Sequence, residues 1–284
     1  ALSGDEQRIL FTQLCNVLEP RLAVALSSAS NELRTATEAL LQQLRADHEA
    51  AAALCLKVGL RSCKELREAK GVNWFNKGLT AADLALLGTL GSVLPALERL
   101  HITEHAGTPG PDDVQRLAEG LGVGVLPALT WFSFSGMHVG DAGASALAAA
   151  LGRGALPRLE NLELYNAAIG DAGLMALAPA LRRLPTLECL GLLNNPLGNE
   201  GIAALVAPPL PADAPPPPTG GLTKLKVLHL SRTLVSDAGC AALAAALDSG
   251  ALPALKGLYL SGIPASDAAK AAVSEALAKS SRRL

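Results

Sequence analysis

The sequence predicts an α/β solenoid, with one strand and one helix in each turn, preceded by a separate helical segment. Three observations predict it: a Leu-rich phrase that returns through most of the chain, an Asp or Asn at a fixed distance behind that phrase, and a composition rich in small apolar residues.

The phrase is Leu-Pro-x-Leu-x-x-Leu-x-Leu. It starts at Leu94, Leu126, Leu156, Leu184 and Leu252, with a Leu-Thr-Lys-Leu variant at Leu222, so the intervals are 32, 30, 28, 38 and 30 residues. Such lengths fit a strand plus a full helix in each turn of a solenoid. Fifteen residues after five of the six starts stand Asp141, Asp171, Asn199, Asp237 and Asp267. Asp and Asn are favoured helix N-caps, so each reads as the cap of its own repeat's helix. An apolar residue lies two positions earlier (Val139, Ile169, Leu197, Val235, Ala265), and a helical pattern such as Leu174, Leu177 and Leu181 follows. Period two thus gives way to a helical period at the same place each time. In the Leu94 repeat, Gly107 to Pro111 inserts a short turn before Asp112. The template also fits a degenerate earlier unit, with Leu66, Ala69, Val72, Trp74 and Leu79 at its apolar positions and Thr80 near the cap, for about seven units. Trp74 is accordingly expected in the core.

The stretch Leu156 to Leu181, LPRLENLELYNAAIGDAGLMALAPAL, resembles the ribonuclease-inhibitor-type leucine-rich-repeat proteins, and the resemblance covers roughly residues 66 to 277. The Ala-rich version with GDAG at the helix start looks like the large families of unicellular algae. The resemblance implies a horseshoe with parallel strands inside, helices outside, and an inner face that binds proteins. One departure is visible: the family's Asn or Cys at the ladder position appears here as Met137, Ala167, Asn195, Thr233 and Ile263. With few side chains able to bond the loop backbone there, the turns are expected to be loose.

Composition narrows the function. Half of the 284 residues are apolar but only 3% are aromatic, so the core is built of many small contacts. A formal charge of -2 and a pI near 6.2 give no field suited to nucleic acid or an anionic lipid surface. Cys15, Cys55, Cys63, Cys189 and Cys240 are odd in number and show no CxxC pairing, which predicts reduced thiols in an intracellular, cytoplasmic protein. No run of eighteen apolar residues predicts a membrane span, and no signal peptide is recognisable. The chain begins at Ala1 rather than Met, as a chain does when an upstream segment has been removed or left out.

Residues 1–65 carry no repeat and read as helices over Glu6 to Leu18 and Asn31 to Leu60. One reading is a helical cap over the exposed core of the first repeat. The other rests on Leu14 to Arg34, LCNVLEPRLAVALSSASNELR, which is similar to the middle of an F-box through Leu18, Pro20, Leu22, Leu26, Ser30 and Leu33, although the usual Leu-Pro start is missing. That resemblance implies docking to the adaptor of a cullin-type ubiquitin ligase through residues 14–34. The solenoid is assigned residues 66–284. Within it, residues 207–221, APPLPADAPPPPTGG, replace the end of one helix with a Pro-rich insertion that reads as a surface loop.

Chemistry-bearing motifs do not survive their context. His101-Ile-Thr-Glu104-His105 matches an HxxEH zinc pattern, but the repeat phase puts His101 on a strand and His105 in a turn. Gly120-Leu-Gly122-Val-Gly124 follows a helix, so it is a connector rather than a dinucleotide loop. No catalytic residue, metal site or cofactor is expected.

What remains is a surface. The template turns the alternate strand residues away from the core, and the candidate partner-binding set on that inner face is Arg99, His101, Trp131, Ser133, Glu163, Tyr165, His229 and Tyr259. Three of the four Trp and Tyr residues lie on it, the types enriched at binding hot spots. Trp131 and Tyr165 are read as one strand apart and two residues out of register. The expected function is therefore an intracellular scaffold for a protein partner. Its rivals are the substrate receptor of a ubiquitin ligase and a structural subunit of a larger assembly.

Overall fold

The computed structural model describes residues 3–104, 110–206 and 221–281. Four helices come first: α1 (Gly4–Leu14), α2 (Arg21–Ser28), α3 (Asn31–Val58) and α4 (Cys63–Glu68). Strands and helices then alternate: β1 (Gly71–Phe75), α5 (Ala81–Leu90), β2 (Arg99–Thr103), α6 (Pro111–Gly120), β3 (Trp131–Ser135), α7 (Gly140–Gly152), β4 (Asn161–Tyr165) and α8 (Asp171–Leu181). The series continues with β5 (Cys189–Gly191), α9 (Asn199–Val206), β6 (Val227–His229), α10 (Asp237–Asp248), β7 (Gly257–Tyr259) and α11 (Asp267–Ser281). The seven strands form one parallel sheet in sequence order.

The repeat phrase explains each unit. Its two leading Leu residues and the alternate strand positions point inward, and most are buried: Leu156, Leu159, Leu162 and Leu164 in one unit, Leu252 and Leu255 in another, with Leu184 and Leu258 partly so. The degenerate first unit obeys the same rule, with Leu66, Val72, Trp74 and Leu79 all buried. Consecutive helices pack against one another along the other layer. Neighbouring strands sit about 4.8 Å apart, whereas packed helices need about 8–10 Å. A row of such units curves with the sheet on its inner side.

The caps depart from the expectation. Asp141, Asp171, Asn199 and Asp237 are not N-caps of their own helices; each caps the helix of the next repeat. Asp141 Oδ1 accepts from the backbone N–H of Gly170 and Gly173, at 2.7 and 3.0 Å. Asp171 Oδ1 does the same for Gly198 and Gly201, and Asn199 Oδ1 for Ser236 and Gly239. Asp237 accepts from the N–H and hydroxyl of Ser266. These bonds satisfy helix N–H groups that no intrahelical partner reaches. They also explain the second Gly of GDAG and of its GNEG counterpart at 198–201: a Cβ on Gly173 would stand 2.5 Å from Asp141 Oδ1, and one on Gly201 2.7 Å from Asp171 Oδ1. Asp267, in the last unit, is fully exposed and among the described residues pairs with Lys270.

The turns after the strands are not loose. Gly136, Asn166, Asn194 and Arg232 share left-handed φ of 50–69°, and each donates its N–H to the next strand's end, at Tyr165, Leu193, Ser231 and Ser261. Backbone bonding supplies what most ladder side chains cannot. Asn195 adds its own, accepting from the N–H groups of Ala167 and Ile169 and donating to the carbonyl of Leu164. In the first repeats that task falls to Glu104, one position early: only 2% exposed, it accepts from the N–H groups of Lys77 and Leu79. This buried structural carboxylate is what the HxxEH pattern had caught, while His105 lies outside the described residues.

The N-terminal helices also differ from the expected pair. The first ends at Leu14 rather than Leu18, because Asn16 turns the chain with its Oδ1 on the N–H of Leu18, and α2 starts after Pro20. Ser30 caps α3, and Gly59 at φ 91° ends it. The far half of α3 and α4 join the repeat core through Leu54, Cys55, Val58, Cys63 and Leu66. Phe11, Ala23 and Leu44 form a separate small core among α1, α2 and α3. Residues 207–220 of the Pro-rich insertion lie outside the described residues. Among the described residues, no helix is long and apolar enough to cross a membrane.

Candidate partner-binding face

Strand register places the candidate residues in three columns. The first runs Gly71, Arg99, Trp131, Asn161, Cys189, Val227 and Gly257; the second runs Asn73, His101, Ser133, Glu163, Gly191, His229 and Tyr259; Phe75, Thr103, Ser135 and Tyr165 form the third. All eight predicted residues therefore share one sheet face. Trp131 pairs with Asn161, and Tyr165 with Ser135. The two rings are four residues out of register, not two. At about 3.3 Å per residue they lie roughly 13 Å apart along the strands, too far to grip one side chain together.

The rings instead form two groups. His101 and Trp131 meet at 5.1 Å between centroids, with the Arg99 guanidinium lying across Gly71 beside them. Farther along, His229 stacks on Tyr259 at 4.8 Å and 23°, and Tyr165 meets His229 at 6.0 Å. Tyr165 bridges two strands because Gly191 leaves the space: a Cβ there would come within 2.2 Å of its ring. Gly191 was absent from the predicted set, yet a Gly in the outward column of a strand is the visible signal of such a close approach. Ser133, which was predicted as a contact, is only 3% exposed and sits beneath its neighbours with its Oγ 3.4 Å from that of Ser135.

Electrostatics centre on Glu163. Burial, then the charge of Glu163 and the adjoining Cys189, push the Tyr165 phenol well above its ordinary value. Burial and Glu163 likewise raise the Cys189 thiol. Burial lowers His229 more than Glu163 raises it, so that imidazole is neutral near pH 7. Two buried side-chain nitrogens lack a hydrogen-bond partner among the described residues, Trp131 Nε1 and His229 Nδ1, and both belong to this face. Among the described residues, no group of three or more His, Cys, Asp or Glu is placed to hold a metal ion. All five cysteines are free thiols.

Residues 221–244, which carry β6 and most of α10, match the family described as Leucine Rich repeat. The fold is a leucine-rich-repeat solenoid. Among solved structures, this solenoid is similar to the leiomodin-1 actin-binding site 2, at 15% identity over 70% of this chain and 88% of that one, with a TM-score of 0.40. It is also similar to the tropomodulin C-terminal domain of Caenorhabditis elegans, at 13% identity over 72% and 95%, again with a TM-score of 0.40. No curated protein matches the chain.

Proposed function

We propose that this solenoid is an intracellular, non-enzymatic scaffold of the ribonuclease-inhibitor type that seats a protein partner on the inner sheet face. One observation carries the reading: three of the chain's four Trp and Tyr side chains gather on that face in two ring groups, His101 with Trp131 and His229 with Tyr165 and Tyr259. The rings themselves are of the types that dominate interface energetics. The α3 and α4 helices serve as the cap over the first repeat's core.

The test is capture of partners from native extract by the parent chain, by Trp131→Ala and by Tyr259→Ala. Tyr259 is 51% exposed, so its removal leaves the core untouched, whereas Tyr165 is packed on Gly191. Loss of the captured protein in both folded variants supports the reading; retention in both moves the site elsewhere. A second reading, docking of a ubiquitin-ligase adaptor through residues 14–34, is favoured by the apolar side chain of Leu22 on α2, which is 65% exposed. Co-purification of the adaptor with the parent chain, abolished by Leu22→Asp, would support it. The remaining alternative, a subunit of a larger assembly, requires a fixed stoichiometry with its neighbours.

A further inference from the structure

We infer that Cys55 and Cys63 form a thiol–disulfide exchange site that takes a small disulfide carrying carboxylates, of the glutathione disulfide kind. The site lies in the N-terminal helices and is independent of the proposed use of the sheet face.

Cys55 stands in the last turn of α3 and Cys63 is the first residue of α4, on either side of the left-handed turn at Gly59. That turn folds the chain back, with the N–H of Leu60 donating to the carbonyl of Cys55 at 2.7 Å. The two sulfurs consequently meet, and the Cys55 thiol is hydrogen-bonded to Cys63. Both belong to the core under the first repeat, at 1% and 6% exposure. They differ in access: Cys63 lines a cavity of about 550 Å³, open to solvent between α4, α3 and the start of α2, and Cys55 does not. Around that cavity Arg67 pairs with Glu19 and Lys64 with Glu68, while Arg21 forms no ion pair among the described residues. The surplus charge at the entrance is therefore positive, complementary to an anionic ligand. A free Cys that merely fills a core packs as a small apolar residue; that role requires neither a second thiol in contact nor a cavity leading to one of the two.

Exchange proceeds by attack of a thiolate on a disulfide sulfur. Cys63 is the sulfur that an entering disulfide reaches. Its attack breaks the incoming S–S bond, forms a mixed disulfide on Cys63 and releases one glutathione, which carries away the proton of the Cys63 thiol. Burial, and then the neighbouring Cys63 and Glu65, push the Cys55 thiol up to about 12, so Cys55 is the protonated member that resolves rather than attacks first. Its sulfur then attacks Cys63 Sγ, the Cys55–Cys63 bond forms, and the second glutathione leaves with the proton that Cys55 gives up. Two protein thiols are oxidised to one disulfide while one disulfide is reduced to two thiols. The product staples the end of α3 to α4, both of which join the first repeat's core. In a reducing compartment such a bond is transient and redox-sensing.

The test incubates the folded full chain with glutathione disulfide at increasing ratios to glutathione, followed by acid quenching, intact mass and peptide mapping. The parent should lose two hydrogens, mapped to peptides joined through Cys55 and Cys63. Cys55→Ala should instead hold one glutathionyl group on Cys63, and Cys63→Ala should leave Cys55 unmodified. Arg21→Gln, a change at an exposed position, should slow the reaction severalfold with glutathione disulfide and leave it unchanged with the uncharged hydroxyethyl disulfide. A folded parent whose Cys55 and Cys63 stay reduced at every ratio would overturn the site, whether or not the Cys variants fold. So would a glutathionyl group on Cys55 of Cys63→Ala, or a rate with glutathione disulfide that Arg21→Gln leaves unchanged.

Discussion

The two halves of the sheet solve the same problems by different means. In the first repeats each helix is capped from within: Thr80 and Asp83 close a reciprocal box at the start of α5, and Asp113 turns back to the N–H of Gly110 at the start of α6. From α8 onward the cap comes from the preceding repeat, over a separation of 29 residues in the case of Asp141 and Gly170. The inner face divides at nearly the same place. Over β2 and β3 it carries Arg99 with the His101–Trp131 pair; over β4 to β7 it carries Glu163 with the Tyr165, His229 and Tyr259 rings. Self-capped repeats resemble independent units, whereas cross-capped ones place part of each helix's stability in its neighbour. The nearest-neighbour coupling of repeat arrays is therefore unequal along this chain.

The largest expected effect is at the junction between the halves. Leu162 of β4 is 2% exposed beside a small apolar void lined by Phe132 and Leu159, so Leu162→Ala enlarges a cavity that its surroundings have not closed. It should cost about 2–5 kcal/mol in denaturant unfolding. A midpoint equal to the parent's would mean that β3 and β4 do not share a tightly packed core.

Next in size is the capping contrast. Asp171→Ala removes the acceptor for Gly198 and Gly201 and should cost about 1–2 kcal/mol, the upper range for a cap. Amide exchange should quicken at Gly198 and Gly201 in α9, not at the start of α8 where Asp171 itself sits. Asp113→Ala should instead quicken exchange at Gly110, in its own repeat. Exchange that rises in the mutated repeat for both variants would erase the distinction between halves.

The smallest effect is a pH dependence. Hydrogen bonds from Ser266 hold the Asp237 carboxyl below its ordinary value of 3.8. In acid the unfolded chain takes up that proton first. Stability from this cap is therefore complete above the ordinary carboxylate range and is lost as pH falls through the depressed folded value. Asp237→Asn keeps an acceptor for the Ser266 N–H, as Asn199 does for Ser236 one repeat earlier, and should make the acid side of the melting profile flatter. A profile as steep as the parent's would assign the acid sensitivity to other carboxylates.

Much of this was legible in the sequence because a locked period leaves little freedom. The starts at Leu94, Leu126, Leu156, Leu184, Leu222 and Leu252 fixed six strands and their buried sides, and the template reached back to Trp74 correctly. The Asp column was legible as a column, but its targets were not: a cap that acts on the next repeat shows the same local spacing as one that acts on its own. The GDAG glycines carried the missing clue, since a Gly two residues after a helix-start Asp weakens a helix unless something occupies its Cβ space. For the face, the sequence identified the right column members but misjudged contacts. Trp131 stands five residues after its repeat start and Tyr165 nine after its own, which already implied an offset of four. The burial of Ser133 depends on the rings around it and had no signal of its own.

Binding of a partner through the rings of one sheet face is the proposal on which the rest depends. Calorimetry with the captured partner, comparing the parent chain with Trp131→Ala and Tyr259→Ala, tests it most directly. Each change should weaken binding by about 2 kcal/mol or more if the ring is a hot spot, with melting temperatures close to the parent's. Undiminished affinity in both folded variants would contradict the claim and take the binding site off the inner face.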